Sequence, residues 1–291
     1  MKTIFAELEL GKENFRFTME FEERLRGILF LGKKGMGKTQ ALVSIALQDA
    51  AAGLPVFFID CGGEGVREIS RRLPSSRLSD LVQYQPQKGE KIPPGFIFRN
   101  LSSSSVVLID IAEERIGREE AALWGEQFLL LIYDRALSRD SEQGPIESSV
   151  FIDSFSTLGV KPLLRFIREA PSLGIALSLA DNTLSGFTSE VVELLRSTHH
   201  TLGLFQLDPK DAQIFEEVMS HSVLTHLAPG VFSTNFPTVT GDSANTVRAM
   251  TAERLGFFER PEPAGLMRQE TLQMPEIPEE TLASLLEVVG V

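Results

Sequence analysis

Eight residues near the beginning of the chain, Gly32-Lys33-Lys34-Gly35-Met36-Gly37-Lys38-Thr39, fit the pattern G-x-x-x-x-G-K-S/T at every fixed position. They follow a short apolar run, Gly27-Ile28-Leu29-Phe30-Leu31. They precede a stretch from about Lys38 to Ala52 in which Ala41, Leu42, Ile45 and Ala46 share one helical face. Strand, glycine-rich turn and helix start form the setting in which this pattern has a mechanism. The glycines let backbone N–H groups turn inward as an anion cradle, and the helix N-terminus adds partial positive charge. The reading is a phosphate-binding loop in which Gly32, Lys33, Lys34, Gly35, Met36, Gly37, Lys38, Thr39 and Gln40 surround ATP. Lys38 is placed to reach the β- and γ-phosphates and Thr39 to ligate Mg2+. Beyond their place in the loop, the side chains of Lys33 and Lys34 read as solvated.

The same strand-then-helix rhythm continues. Apolar runs at Val56–Asp60, Val106–Asp110, Val150–Asp153, Gly174–Leu179 and Thr201–Gln206 read as buried strands, and a long helix is expected over Arg118–Arg139. Asp208-Pro209 reads as a helix start, N-cap followed by proline at the first helical position. Strands apolar throughout, alternating with helices, predict an α/β fold: a mostly parallel sheet with helices on both faces. Residues 3–8 and 15–20 alternate apolar and polar around Gly11-Lys12-Glu13-Asn14, which predicts a small β-hairpin ahead of the core. Pro261, Pro263, Pro275 and Pro278 punctuate a tail with one short helix expected near Thr281–Val288. The expected division is 1–25 for the hairpin extension, 26–258 for the core and 259–291 for the tail.

A phosphate-binding loop needs an acid on a neighbouring strand to hold the Mg2+ shell. Three predicted strands end in aspartate: Asp60, Asp110 and Asp153. Asp153 is the choice, because it ends the clean run Ser149-Val150-Phe151-Ile152; Asp110 reads as an ordinary strand end or cap. Hydrolysis also needs a group that polarises water. The position after Asp153 is Ser154, so the base must come from elsewhere or be missing. Glu64, four residues past the second strand, reads equally as that base or as an acid capping the helix that begins near Val66.

Composition excludes other classes. Apolar stretches such as Phe128–Tyr133 are far short of the roughly 20 residues of a membrane helix. The acids near the N-terminus do not fit a signal peptide, and one cysteine, Cys61, excludes an intrachain disulfide or a cysteine-cluster zinc site. A cytoplasmic location is the expectation. The net charge of −12 removes a whole-surface basic footprint for nucleic acid, while leaving room for a ring whose lumen alone is basic.

Over roughly residues 15 to 240 the sequence resembles the HerA/FtsK superfamily of DNA-pumping ATPases, which includes conjugative coupling, type IV secretion and viral genome-packaging ATPases. A hairpin precedes the loop Gly32–Thr39. Asp60-Cys61-Gly62-Gly63-Glu64 is similar to the group's D-x-x-G-E segment, and Phe151-Ile152-Asp153-Ser154-Phe155-Ser156-Thr157-Leu158-Gly159 to its D-E-F-x-x-L-G. Asp181-Asn182 stands at the polar sensor position, and Leu227-Ala228-Pro229-Gly230-Val231-Phe232 is similar to the closing L-x-x-G strand. The resemblance implies a RecA-like core, ATP and Mg2+ as cofactors, and a homo-oligomeric, usually hexameric, ring. It further implies double-stranded DNA in the lumen, and an arginine supplied between subunits, for which Arg165, Arg168 and Arg196 are candidates. Two departures stand out: Ser154 replaces the Walker B glutamate, and Asp181-Asn182 replaces the sensor glutamine. The Asp153-Ser154 pair is instead similar to the RecA/KaiC branch, which places its catalytic glutamate just after the second strand, where Glu64 lies. Three readings follow: a ring motor moving DNA, or protein; a nucleotide-binding switch or assembly subunit with weak or no turnover; and a RecA/KaiC-type ATPase using Glu64. The acidic surface makes a protein partner plausible in each.

Overall fold

The computed structural model describes residues 1–10, 13–90, 104–137, 147–199, 201–217, 219–235 and 245–260. Its strands are β1 (Lys2–Leu10), β2 (Glu13–Glu20), β3 (Ile28–Leu31), β4 (Val56–Asp60), β5 (Leu81–Tyr84), β6 (Val106–Asp110), β7 (Ser148–Asp153), β8 (Ile175–Asp181), β9 (Thr201–Leu204), β10 (Val231–Thr234) and β11 (Asn245–Ala249). Its helices are α1 (Phe21–Arg24), α2 (Lys38–Ala51), α3 (Glu64–Arg72), α4 (Glu113–Ile116), α5 (Arg118–Leu137), α6 (Val160–Glu169), α7 (Ser189–Thr198), α8 (Pro209–Ile214) and α9 (His221–Leu224). The strands form one sheet in the order β2-β1-β11-β10-β9-β3-β8-β7-β4-β6-β5. From β9 to β5 every neighbouring pair is parallel; from β2 to β9 every pair is antiparallel.

The period of two along the strands explains both layers. In β4, Phe57 and Ile59 face one side of the sheet and Val56 and Phe58 the other; in β6, Val107 and Ile109 oppose Val106 and Leu108 in the same way. The first face packs against Trp124, Phe128 and Ile132 of α5, Leu163 and Phe166 of α6, and Val191 and Leu195 of α7. The second packs against Ala41, Leu42 and Ile45 of α2 and Val66 and Ile69 of α3. Both faces being covered, the parallel strands are apolar at nearly every position.

The parallel α/β core, the helix start at Lys38, the long helix at Arg118 and the Asp208 cap with Pro209 behind it stand where the sequence places them. The hairpin expected ahead of the core joins it edge to edge. β1 pairs with β11, Ala6 opposite Ala249, so the hairpin extends the same sheet. β5 and β11 carry no long apolar run and are found through their pairing partners. The helix expected near Thr281–Val288 and the last residues of the Arg118–Arg139 helix lie outside the described residues.

A buried ion pair joins the hairpin to the core. Arg24, at the end of α1, donates from Nη1 and Nη2 to Asp49 of α2 at 2.6 and 2.5 Å, to Thr3 Oγ1 at 3.0 Å and to Ser149 Oγ of β7 at 3.3 Å. Arg24 and Asp49 are 1% and 0% exposed, so either charge left alone would be desolvated and unpaired. Arg24→Ala is therefore expected to lower the unfolding free energy by about 3–5 kcal/mol. Urea unfolding of the full chain measures this, and the double variant Arg24→Met, Asp49→Leu should recover part of the loss.

Candidate functional site

The site lies at the carboxyl ends of β3, β8, β7 and β4. β8, from later in the chain, is inserted between β3 and β7, a break in strand order of the kind that opens a crevice above a parallel sheet. The loop after β3 is fastened on both sides: Gly32 N–H donates to Asp181 O at 3.2 Å, and Lys33 N–H to Gln206 O at 2.8 Å. Met36 O accepts from Gly230 N–H at 2.9 Å, which ties the turn before β10 to the loop. Gly32 has φ +153°, and a Cβ there would lie 2.5 Å from Phe205 Cβ; no other residue fits. Gly37 caps α2 with φ +105°. The first bond within α2 runs from Ala41 N–H to Gly37 O, so the amides of Lys38, Thr39 and Gln40 have no helical carbonyl to bond. A Cβ on Gly35 would meet nothing within 4 Å, so the crest of the loop is open.

Lys38 and Thr39 connect this loop to the neighbouring strands. Lys38 Nζ donates to Gly32 O at 2.6 Å, Lys33 O at 2.9 Å and Asn182 Oδ1 at 3.0 Å. Burial lowers the pKa of this ammonium, while Asp153 and Asp181 pull it back up. Thr39 Oγ1 donates to Asp153 Oδ2 at 2.6 Å. Burial, and then the charge of Asp60, push the Asp153 carboxyl up to about 7 against the hydrogen bond from Thr39. A carboxylate so placed favours a nearby cation. Among the described residues no three His, Cys, Asp or Glu side chains are grouped to hold a metal alone. One hydroxyl and one carboxylate beside a phosphate cradle fit Mg2+, which keeps waters and takes substrate oxygens.

The remaining acids divide by partner. Asp60 accepts from Gly62 N–H at 2.9 Å, Gly63 N–H at 2.7 Å and Val66 N–H at 2.9 Å, so it shapes the turn that leads into α3. Burial nonetheless raises its pKa. Asp181 accepts from Ser156 N–H and Asn182 N–H, both at 2.6 Å, and burial raises its pKa too. Asp110 accepts from Gln85 Nε2, Ala112 N–H and Arg115, and so holds its own loop. Cys61 is buried, with its thiol pushed up by burial. Glu64 is the first residue of α3 and is exposed, and no hydrogen bond among the described residues joins it to the Lys38–Asp153 group. The structure thus brings together Lys38, Thr39, Asp153, Asp181 and Asn182, with Glu64 on the same edge beyond them.

The three arginines stand apart from that edge. α6 connects the carboxyl end of β7 to the start of β8 and so descends away from the loop. Arg165 on it stacks on Tyr133 and pairs with Glu169, and Arg168 lies in its last turn. Arg196, in the last turn of α7, pairs with Glu193 and Glu217. Sequence reasoning passed over Arg118, which opens α5 at the site's own edge and donates to Ser156 O at 3.4 Å. It also passed over Glu113, which accepts from Thr157 Oγ1 at 3.2 Å. Both meet the loop after β7 from about 40 residues away in sequence, a proximity no local pattern carries.

The strand order, the phosphate-loop conformation and the acid-bearing neighbour strands are those of a RecA-like P-loop fold. No family model and no curated protein matches the sequence. Among solved structures, the plasmid coupling protein TrwB in complex with ADP and Mg2+ is similar at TM-score 0.61 and 11% identity, over 80% of this chain and 87% of that one. The cytoplasmic domain of the type VII secretion ATPase EccC from Thermomonospora curvata is similar at TM-score 0.55 and 13% identity, over 86% of this chain. EssC (ATPases 2 and 3) from Geobacillus thermodenitrificans is similar at TM-score 0.48 and 14% identity, over 86% of this chain. This chain spans 28% of the EccC chain and 44% of the EssC chain. No helix among the described residues is long and apolar enough to cross a membrane.

The raised pKa of Asp153 carries a pH signature. Its folded value of about 7 exceeds the ordinary 3.8, so the folded state binds the proton more tightly than the unfolded chain. Its stabilising contribution is complete below the unfolded value and is lost as pH rises through about 7. Asp153→Asn, neutral throughout, should gain on the wild type by on the order of 4 kcal/mol between pH 4 and pH 8. Urea titrations of both proteins without Mg2+ or nucleotide measure the difference.

Proposed function

We propose that this chain is an Mg2+-dependent ATPase that works as a subunit of an oligomeric ring, a hexamer by resemblance, and moves double-stranded DNA through the lumen. The observation that carries the reading is the joining of three strands at one loop: Lys38 reaches Asn182 on the residue after β8, and Thr39 reaches Asp153 at the end of β7. In the bound state the γ-phosphate takes the Lys38 ammonium from the loop carbonyls it now holds, and Asn182 is left to report whether that phosphate is present. Thr39 and Asp153 would hold Mg2+, which supplies charge neutralisation on the phosphates. The amides of Lys38, Thr39 and Gln40 bind the phosphate chain. Glu64 is the base, presented by the turn that Asp60 shapes.

Support for a ring motor comes from the fold shared with TrwB, a coupling protein, and EccC, a secretion ATPase. A net charge of −12 confines any DNA contact to a local basic lining and makes a polypeptide cargo the competing outcome. In a ring an arginine from one subunit completes the next subunit's site, and Arg165, Arg168 and Arg196 are the residues proposed for it. The chain reads as a cytoplasmic protein with the core over 26–258. A second reading, a nucleotide-binding switch with little turnover, is favoured by Ser154 standing where a glutamate would follow Asp153.

Turnover and assembly separate these readings. The motor is expected to hydrolyse ATP, to lose that activity by at least about a hundredfold in Lys38→Ala, and to run several-fold faster with double-stranded DNA. Light scattering should show a larger oligomer with Mg2+–ATPγS than without. Tight Mg2+–ATP binding with no phosphate release supports the switch instead, and stimulation by protein but not by DNA moves the cargo to polypeptide.

A further inference from the structure

Ser154 is the one non-glycine among the described residues with a positive φ, at φ 61° and ψ 53°. An L-residue other than Gly, Asn or Asp rarely adopts this left-handed conformation, and it persists where the surroundings impose it. Here the main chain is pinned on both sides: Ser154 N–H donates to Ala180 O at 2.8 Å, and Ser154 O accepts from Thr157 N–H at 3.1 Å. The hydroxyl has no hydrogen-bond partner among the described residues, so the strain does not serve a side-chain bond within the fold.

What the hydroxyl faces is the turn before α3. A Cβ built on Gly62 would lie 3.9 Å from Ser154 Oγ and 3.5 Å from Asp60 Oδ1, and Gly62 is exposed. Between Ser154 Oγ and the Gly62 backbone there is therefore room for one small group in ordinary contact with both sides. Asp153, which Thr39 joins to the phosphate loop, is the preceding residue on one side; Glu64 is two residues beyond Gly62 on the other. The absence of a side chain at position 62 keeps the gap clear.

We propose that Ser154 is a positioning residue for hydrolysis, whose hydroxyl holds the attacking water in this gap while Glu64 takes its proton. The inference rests on the reading of the chain as an ATPase with Glu64 as base. In the step, the water oxygen bonds to the γ-phosphorus, and the bond from that phosphorus to the β–γ bridging oxygen breaks. ADP leaves with the electron pair, and the proton lost by the water goes to the Glu64 carboxylate and then to solvent. Ser154 exchanges no proton; it accepts a hydrogen bond from the water and fixes its line of approach. The serine after Asp153 is then a replacement in function for part of what a glutamate there would do.

The test uses the full chain with Ser154→Gly. Glycine adopts this φ without strain, so a purely structural role predicts equal or greater stability and unchanged turnover. The positioning role predicts an unfolding midpoint at or above that of the wild type and Mg2+–ATPγS affinity within about twofold, with kcat down at least about tenfold. Gly62→Ala, which puts a methyl into the gap at ordinary contact distances, should give the same split between kcat and affinity. Turnover within about twofold of the wild type in both variants overturns the proposal while leaving the ATPase reading intact. A wild type that binds Mg2+–ATP but releases no phosphate overturns the base assigned to Glu64 and this role with it. A wild type that binds no nucleotide overturns the reading beneath both.

Discussion

The hydrogen bond from Thr39 to Asp153 spans 114 residues of sequence and 2.6 Å of space. It forms because β7 ends at the level where α2 begins, and that level is set by the registers of the parallel strands. Asp153 is paired in register with Asp60 of β4, and Asp60 with Asp110 of β6, so three strands end in a carboxylate at one height. Burial raises the proton affinity of Asp60 and Asp153, and the neighbouring carboxylate adds to it in each. The fold tolerates the row because each acid has its own work. Asp110 holds Arg115, Asp60 holds three amides of the turn before α3, and Asp153 accepts one hydroxyl and retains capacity for a cation.

Much of this was legible in the sequence for reasons that are local. Gly32–Thr39 defines its own conformation through glycines that no other residue can replace, and a fully apolar strand followed by an amphipathic helix reads the same in any context. Asp153 stood out because it ends such a strand. What stayed hidden depends on distant pairing. β11 exists because β1 and β10 flank it, and the five residues Asn245–Ala249 carry no strong pattern of their own. The strain at Ser154 is likewise invisible in sequence, since serine has no preference for the left-handed region and is forced there by Ala180 and Thr157. Asp181 showed the same limit: as a strand-end acid it resembled a sensor, yet its carboxylate is engaged by the amides of Ser156 and Asn182.

Asn182 and Asp181 therefore divide a position that reads as one. The side chain that reaches the Lys38 ammonium is Asn182; Asp181 holds the loop after β7 and, through its carbonyl, the first glycine of the phosphate loop. Any movement of Lys38 toward a phosphate leaves Asn182 Oδ1 unpaired beside Asp181, and Asp181 is bonded to Ser156 in the segment that begins with Ser154. The loop after β3, the end of β8 and the segment after β7 thus form one connected set of hydrogen bonds. A change at the ammonium has a physical route to the residues beyond β7 without any change in the strands themselves.

The opposite end of α2 explains why that route can be short and stiff. Arg24 bridges Asp49, near the end of α2, and Ser149, near the start of β7. Thr39 and Asp153 join the start of the helix to the end of the strand. Between its two tied residues the helix rises about 15 Å at its usual pitch, and the strand between its own advances about 13 Å. The lengths match, so helix and strand lie antiparallel and are clamped at both ends, one clamp polar and open to a ligand, the other an ion pair sealed from water. Because the sealed clamp includes Arg24, which follows β2, the hairpin is more than an edge extension of the sheet. It fixes the far end of α2, so that binding at the near end works against a held helix and not against one free to slide.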